Sequence, residues 1–163
     1  MSIIEICQWA QDTEIATSLR TSQFAFPLIE GSHVLALAIS VGIVMFLDLR
    51  LLGLVFRKTP VSRVMQQVGP WMIAGMTIMM LTGFLLFFAQ AKNAWVSIFF
   101  KVKMILLIMG ALNALYYQIK YFPRMADWDL SEKVPAGVKI VAVLSLIFWF
   151  GVIICGRTMA YEI

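Results

Sequence analysis

Four long apolar runs dominate the pattern of hydrophobic and polar positions along the chain. They cover about residues 26–56, 70–91, 96–119 and 137–160. A helix rises about 1.5 Å per residue and the hydrocarbon core of a bilayer is about 30 Å thick, so each run predicts a helix that crosses a membrane. In the second run, Pro70 predicts the first turn of the helix, where proline is favoured.

Residues 1–24 show a different, amphipathic pattern. Ile3, Cys7 and Ala10 recur at roughly helical spacing, and Glu5 lies apart from them. The pattern predicts a helix that lies on the outer membrane surface. A short helix that docks onto a partner subunit would give the same pattern.

Composition narrows the class of protein. Hydrophobic residues make up 61% of the chain and charged residues 13%. This charged share is about half that of a soluble domain, so the composition excludes a soluble domain. The short link at Lys92-Asn93 requires antiparallel neighbours. We therefore predict an all-α integral membrane protein: a four-helix antiparallel bundle over residues 25–163, surrounded by lipid and preceded by the interfacial segment 1–24.

The distribution of Lys and Arg predicts the orientation in the membrane. The side that receives the end of the first run carries eight, namely Arg50, Arg57, Lys58, Arg63, Lys120, Arg124, Lys133 and Lys139. The other side carries five, namely Arg20, Lys92, Lys101, Lys103 and Arg157. The richer side is expected to be cytoplasmic, which places both termini outside. Because these residues flank the runs instead of forming one basic patch, no nucleic-acid partner is expected.

Signatures of soluble-type catalysis are missing from the sequence. The chain has a single histidine and two cysteines, Cys7 and Cys155, which are far apart. It therefore has no CxxC pair and no HExxH pair, and it also lacks a glycine-rich phosphate loop and a GxSxG elbow. We expect the two cysteines to be separate thiols, although an external location would permit a disulfide.

The strongest candidate for chemistry lies at the start of the first run. Glu30 and His33 are three residues apart and share one helix face, the spacing with which bundle helices present a carboxylate and an imidazole to one metal. Met104 and Cys155 fall at the same depth and are candidate further ligands. The predicted cofactor is a b-type haem or a transition metal ion. With one histidine per chain, a haem with two histidine ligands requires a homo-oligomer.

Two ion pairs are a structural alternative for the same residues. Depth matching pairs Glu30 with Arg157 at one end of the bundle, and Asp48 with Arg63 or Lys120 at the other end. Such pairing offsets the cost of holding charge near lipid. In this interpretation His33 is an interior hydrogen bonder and not a ligand.

Glycines mark a predicted contact between helices. Gly31, Gly42 and Gly53 recur at 11-residue intervals on another face of the first run. Small residues on one face let two helices approach closely, so we expect a neighbouring helix to pack there.

Several segments together resemble a known family. They include Phe26-Pro27 through His33, Asp48 through Gly53 and Gly156 through Tyr161. The chain resembles a family of uncharacterised bacterial four-helix inner-membrane proteins, known only as a domain of unknown function. The resemblance implies the fold and a bacterial inner (cytoplasmic) membrane location, but no reaction. It also implies a second histidine near the end of the third run, where this chain has Tyr116, Tyr117 and Gln118.

Three functions follow from these patterns, and whether the protein is an enzyme stays open. The first is a redox-related membrane protein that binds a cofactor through His33 and Glu30. The second is a non-enzymatic subunit of an oligomer or membrane complex. The third is a proton-linked channel or transporter that uses Glu30, His33 and Asp48, because ionisable groups inside bundles mark proton paths.

Overall fold

All regular elements are helices in the part of the chain that the computed structural model describes, residues 2–56, 58–129 and 134–161. They are α1 (Ile3–Gln11), α2 (Glu14–Thr21), α3 (Ala25–Leu51), α4 (Val61–Ala89), α5 (Ala91–Val96), α6 (Ile98–Lys120), a 3₁₀ turn (Phe122–Arg124), α7 (Met125–Trp128) and α8 (Ala136–Met159). The all-α prediction is confirmed. Two of the basic residues that predict the orientation, Arg57 and Lys133, lie outside the described residues.

Four of these helices, α3, α4, α6 and α8, are long and apolar enough to cross a membrane. This confirms the four predicted spans and identifies a membrane protein by helix length and composition. We call the two ends of the bundle the His33 end and the Asp48 end, after residues near the start and the end of α3. Helix α5 lies at the His33 end and α7 at the Asp48 end.

Helix α3 ends at Leu51, before the predicted limit of the first run at Phe56. Gly53 adopts a φ of 75°, its N–H donates to the Arg50 carbonyl at 3.0 Å, and the Leu54 N–H donates to the Leu49 carbonyl at 3.0 Å. These two bonds form the Schellman motif, in which a glycine with positive φ satisfies the last carbonyls. Gly53 therefore terminates α3 and does not pack against a neighbouring helix.

Helix α4 begins at Val61, so Pro70 lies inside the helix and does not start it. The carboxylate of Asp129, just after α7, accepts hydrogen bonds from the Val61 N–H, the Ser62 N–H and the Ser62 hydroxyl. It thereby satisfies amides that a helix start leaves without partners. This distant cap extends α4 beyond the apolar run.

The N-terminal segment forms two helices, and the first is held against α5. A capping box between Ser2 and Glu5 starts α1, and the Thr13 hydroxyl accepts from the Ala16 N–H at the start of α2. The Gln11 side chain accepts a hydrogen bond from the Lys92 N–H at 2.9 Å. The segment is therefore fixed to the connection between α4 and α6.

The long helices pack in the order α4, α3, α8, α6. Helix α3 packs on both α4 and α8, and α8 packs on α6. A Cβ built on Gly75 of α4 would lie 3.1 Å from Ser40 Cβ and 3.3 Å from the Ala36 carbonyl oxygen. Gly31 and Gly42, by contrast, have no described atom within 4 Å of such a Cβ. The glycine that permits close packing therefore belongs to α4, since Gly31 and Gly42 are on the exposed side of α3.

Candidate functional site

The imidazole of His33 is held by α4. His33 Nδ1 lies 3.0 Å from the Thr82 hydroxyl oxygen, and that hydroxyl donates to the Ile78 carbonyl at 2.7 Å. The hydroxyl donates its only proton to the carbonyl, so its oxygen can only accept a hydrogen bond from His33. The imidazole proton is therefore on Nδ1. The Nε2 lone pair is then the one available to a ligand.

Glycine makes room for this imidazole, and a lysine lies nearby. A Cβ on Gly83 would be 3.0 Å from His33 Cε1, so a larger residue there would push the ring away. Lys103 of α6 is close enough to act electrostatically on both His33 and Cys155. Its Nζ would lie 3.5 Å from a Cβ on Gly156. The His33 end therefore joins residues of all four long helices.

The other residues predicted for the His33 end are not gathered around the imidazole. Glu30 is exposed and makes no ion pair within the described part of the chain. Arg157 donates instead to the Tyr161 hydroxyl at 3.2 Å. Met104 is 41% exposed. The structure thus does not bring Glu30 and Arg157 together as predicted, because Arg157 bonds to Tyr161 just after the end of its own helix.

The two cysteines of the chain also lie at the His33 end. Cys7 and Cys155 are both buried free thiols. Among residues 2–56, 58–129 and 134–161, no group of three or more His, Cys, Asp and Glu side chains is placed to hold a metal ion. A metal or haem at His33 would therefore need further ligands of another type or from another chain.

Asp48 is not paired with Arg63 or Lys120 as predicted. Arg63 is exposed, and Lys120 donates to the Tyr116 hydroxyl at 2.6 Å. Asp48 is only 6% exposed and shares a hydrogen bond with Ser145 of α8. Its Oδ2 atom is buried and has no hydrogen-bond partner among the described residues. The rotation of α3 directs this carboxylate to the neighbouring helix and not to the basic residues.

A cleft separates α4 from α6 at the Asp48 end. The two helices meet at the His33 end, where the rings of Phe87 and Phe100 stack with centroids 5.3 Å apart. Farther along, the described parts of α4 and α6 hardly approach each other. A cavity of about 340 Å³ lies between them. We call this cavity the cleft.

The cleft has an apolar body and an exposed rim. Val44, Met72, Met76 and Trp149 are among the residues that form the body. Ile73, Thr77, Ala114 and Gln118 also line it and are exposed, so the cleft opens sideways between α4 and α6, toward lipid. Its base is closed by a core cluster that contains Leu51, Val61, Trp128 and Val138, against which Met65 and Tyr117 pack.

Polar side chains of three helices converge in the cleft. They are Asp48 of α3, Asn113 and Tyr117 of α6, and Ser145 of α8. The Asn113 amide donates to the Val141 carbonyl at 3.0 Å. The Tyr117 hydroxyl, like Asp48 Oδ2, is buried without a hydrogen-bond partner in the described chain. Buried polar groups are nearly always paired, so two such atoms on residues that line one cavity single it out as a candidate place for a ligand or water.

The sequence patterns do not single out Asn113, Tyr117 and Ser145 as site residues. The signal that they do carry is a polar side chain inside an apolar run, at a depth that matches Asp48. Without the rotation of each helix, that signal does not separate residues facing a cavity from residues that bond neighbouring helices.

Comparison with known proteins identifies one related group. Residues 15–162 match the model of a family described as a family of unknown function (DUF6644). No curated protein and no solved structure matches the chain.

Proposed function

The chain belongs to this family of unknown function, and from its geometry we propose that it is a membrane protein that binds a small lipid-soluble molecule in the cleft. The observation that carries the proposal is the buried Asp48 carboxylate, whose Oδ2 atom has no described partner beside a cavity of about 340 Å³. Leaving a buried polar group unpaired costs about 1–3 kcal/mol, and more for a charged group. A protein retains such a group where it has a function.

The size and lining of the cleft support the same proposal. Ligand pockets typically enclose about 300–1,000 Å³ and combine an apolar wall with a few convergent polar groups. The cleft has this composition, with Met72, Met76 and Trp149 in the wall and Asp48 and Asn113 among the polar groups. Methionine side chains adapt easily to the shape of an apolar ligand.

The arrangement of the helices supports access from the bilayer. Because α4 and α6 diverge at the Asp48 end, a lipid-soluble molecule can enter between them without unfolding the bundle. The core cluster around Val61 and Trp128 closes the path to the membrane surface at that end. The ligand therefore enters from the lipid and not from the aqueous phase.

Quenching of Trp149 tests ligand binding in the cleft. The protein is placed in phosphatidylcholine nanodiscs and titrated with 1-bromooctane, whose bromine quenches indole fluorescence on contact. Subtracting the signal of Trp149→Phe isolates Trp149 from the other four tryptophans. We expect the Trp149 signal to fall along a saturable curve as the cleft fills.

Two alanines of α6 provide a matched pair of variants for this test. Ala114 lines the cleft, whereas Ala111, one turn away, is exposed and does not line it. Ala114→Phe should abolish the saturable quenching and Ala111→Phe should preserve it. Quenching that rises linearly with probe and is the same in both variants would contradict the proposal.

A second candidate function is binding of a redox cofactor at His33. The observation that favours it is the hydrogen bond to Thr82, which leaves Nε2 as the free ligand atom. A partner that holds the other imidazole nitrogen is the usual support of a ligating histidine. Here a b-type haem or a transition metal ion would take His33 Nε2. Because Glu30 and Met104 are not gathered around the imidazole, Cys155 or a second copy of the chain would supply the remaining ligands.

Spectroscopy separates this candidate from the first. Protein purified from membranes should show a Soret band or a stoichiometric metal, and His33→Ala should remove either one while leaving the helical content unchanged. Protein that has neither signal, even after haem or metal ions are added, would refute the candidate. A two-histidine haem would also make the protein a homo-oligomer, which the mass of the haem-loaded particle tests.

We also propose the bacterial inner membrane as the location, with the Asp48 end in the cytoplasm and both termini outside. The excess of basic residues at the Asp48 end supports this orientation. Reporter domains fused after Arg63 should be cytoplasmic, and those fused after Tyr161 external. A cytoplasmic reporter after Tyr161 would overturn the orientation.

A further inference from the structure

The strongest hydrogen-bonding group that remains in the cleft is the Asp48 carboxylate. One N–H of the Asn113 amide donates to the Val141 carbonyl at 3.0 Å, which leaves its second N–H as a donor and its Oδ1 atom as an acceptor. The Thr77 hydroxyl has donated to the Ile73 carbonyl at 2.9 Å. The Asp48 carboxylate only accepts when it is ionised, and its Oδ2 is unpaired in the described chain. A ligand that complements the carboxylate must therefore bring donors.

The charge of the cleft wall also favours a positively charged ligand. Among the described residues that line the cleft there is no Lys, Arg or His, whereas Asp48 contributes a carboxylate. Two basic residues of this end bond to other groups: Lys120 donates to Tyr116, and Arg50 donates to the Thr59 carbonyl at 2.9 Å. The negative charge is thus not compensated by a cation of the cleft wall.

From these two observations we propose that the molecule held in the cleft is a cationic amphiphile with a protonated amine. This inference rests on the proposed function and names the ligand class of the same cleft. The ammonium group lies between Asp48 and Asn113, and the apolar chain lies along Met72 and Met76. An ammonium offers three N–H donors and a positive charge, so it satisfies both the acceptors and the carboxylate.

The geometry of the carboxylate allows this contact. Rotation about the last side-chain bond of an aspartate has a broad energy minimum, so either oxygen of Asp48 can be presented to the ligand. Ser145 holds the carboxylate by a hydrogen bond and thereby limits its motion. The Tyr117 hydroxyl, which is also unpaired among the described residues, can accept as well as donate. The Tyr117 ring adds an aromatic face, and aromatic faces attract cations.

A comparison of three probes with the same eight-carbon chain tests the ligand class. In phosphatidylcholine nanodiscs, n-octylamine, n-octanol and n-octanoate each compete with 1-bromooctane for quenching of Trp149, and each affinity is expressed per mole of probe in the bilayer. We expect n-octylamine to bind roughly ten- to hundredfold more tightly than n-octanol, the range expected for a hydrogen bond to a charged group. The octanoate anion should bind most weakly.

Two aspartates at the Asp48 end give a matched control. Asp48→Asn should reduce the affinity for n-octylamine to that for n-octanol and leave n-octanol binding unchanged. Asp127→Asn removes an exposed carboxylate of α7 outside the cleft and should preserve the preference for the amine.

The outcomes separate the two proposals. Saturable bromooctane binding with equal affinities for the three probes would overturn the amine inference and leave the cleft as a binding site. Amine preference that survives Asp48→Asn would also overturn the inference. Absence of saturable bromooctane binding would refute the proposed function itself. The wild-type comparison requires no substitution at Asp48, so it holds even if Asp48→Asn does not fold.

Discussion

Replacing Gly75 with alanine tests the close contact between α3 and α4. The new Cβ would lie 3.1 Å from Ser40 Cβ, 3.2 Å from the Ser40 backbone nitrogen and 3.3 Å from the Ala36 carbonyl oxygen. Two of these atoms belong to the α3 backbone and cannot rotate away, so the helices must separate by a few tenths of an ångström. Such overpacking costs about 1–3 kcal/mol.

The same substitution also changes helix propensity, and a control removes that effect. Alanine is favoured over glycine in a helix interior by about 1 kcal/mol, so Gly75→Ala should destabilise the protein by a net ~0–2 kcal/mol. Gly42 is exposed on α3, and a Cβ added there would have no described atom within 4 Å. Gly42→Ala should therefore stabilise the protein only through the higher helix propensity of alanine. The difference between the two variants, about 1–3 kcal/mol, isolates the packing cost.

Reversible unfolding in mixed micelles, followed by circular dichroism, measures both free energies of unfolding. A Gly75→Ala variant that is at least as stable as Gly42→Ala would refute the packing order in which α4 lies directly against α3. A difference of the expected sign would support it, since both substitutions add the same methyl group to a long apolar helix.

Three further predictions follow from the same structure. Asp129→Ala removes the cap of α4 and should cost about 0.5–2 kcal/mol, with faster hydrogen exchange at the Val61 and Ser62 amides; unchanged exchange would contradict the cap. Asp48→Leu removes a buried carboxylate with an unpaired oxygen and should stabilise the ligand-free protein by ~1–3 kcal/mol in chemical unfolding. If Asp48 instead formed an ion pair with Arg63 or Lys120, the same substitution would destabilise the protein. Thr82→Val removes the hydrogen-bond partner of His33 and should weaken haem or metal binding about 10–100-fold in a titration; equal affinity would show that Thr82 does not support a ligand.

The long helices can be predicted from sequence because apolar length is a local property. The limits of α3 and α4 cannot, for two different reasons. The 11-residue spacing predicts a packing role for Gly53, although this glycine ends α3 through its positive φ. The start of α4 depends on Asp129, which is distant in sequence and close only in the folded chain. Helix ends that rest on long-range hydrogen bonds leave no periodic signal.

The candidate site, like the helix limits, can be predicted from the sequence only in part. Depth along the helices follows from residue spacing, and it correctly places His33 and Lys103 at one end of the bundle. Rotation of each helix does not follow from spacing, so depth alone matches Asp48 to basic residues although it bonds to Ser145. The cleft exists because α4 and α6 diverge, and a regular four-helix bundle gives no reason to expect that.

Photolabelling directly tests whether the cleft binds a lipid-soluble molecule. A small hydrocarbon probe with a diazirine group is added to the protein in nanodiscs, activated by light, and mapped by mass spectrometry. We predict saturable labelling of Met72, Met76 and Ala114, on both sides of the cleft, and only a linear rise with probe concentration at lipid-exposed Ile105 and Leu112. Linear labelling of all five residues would contradict the account.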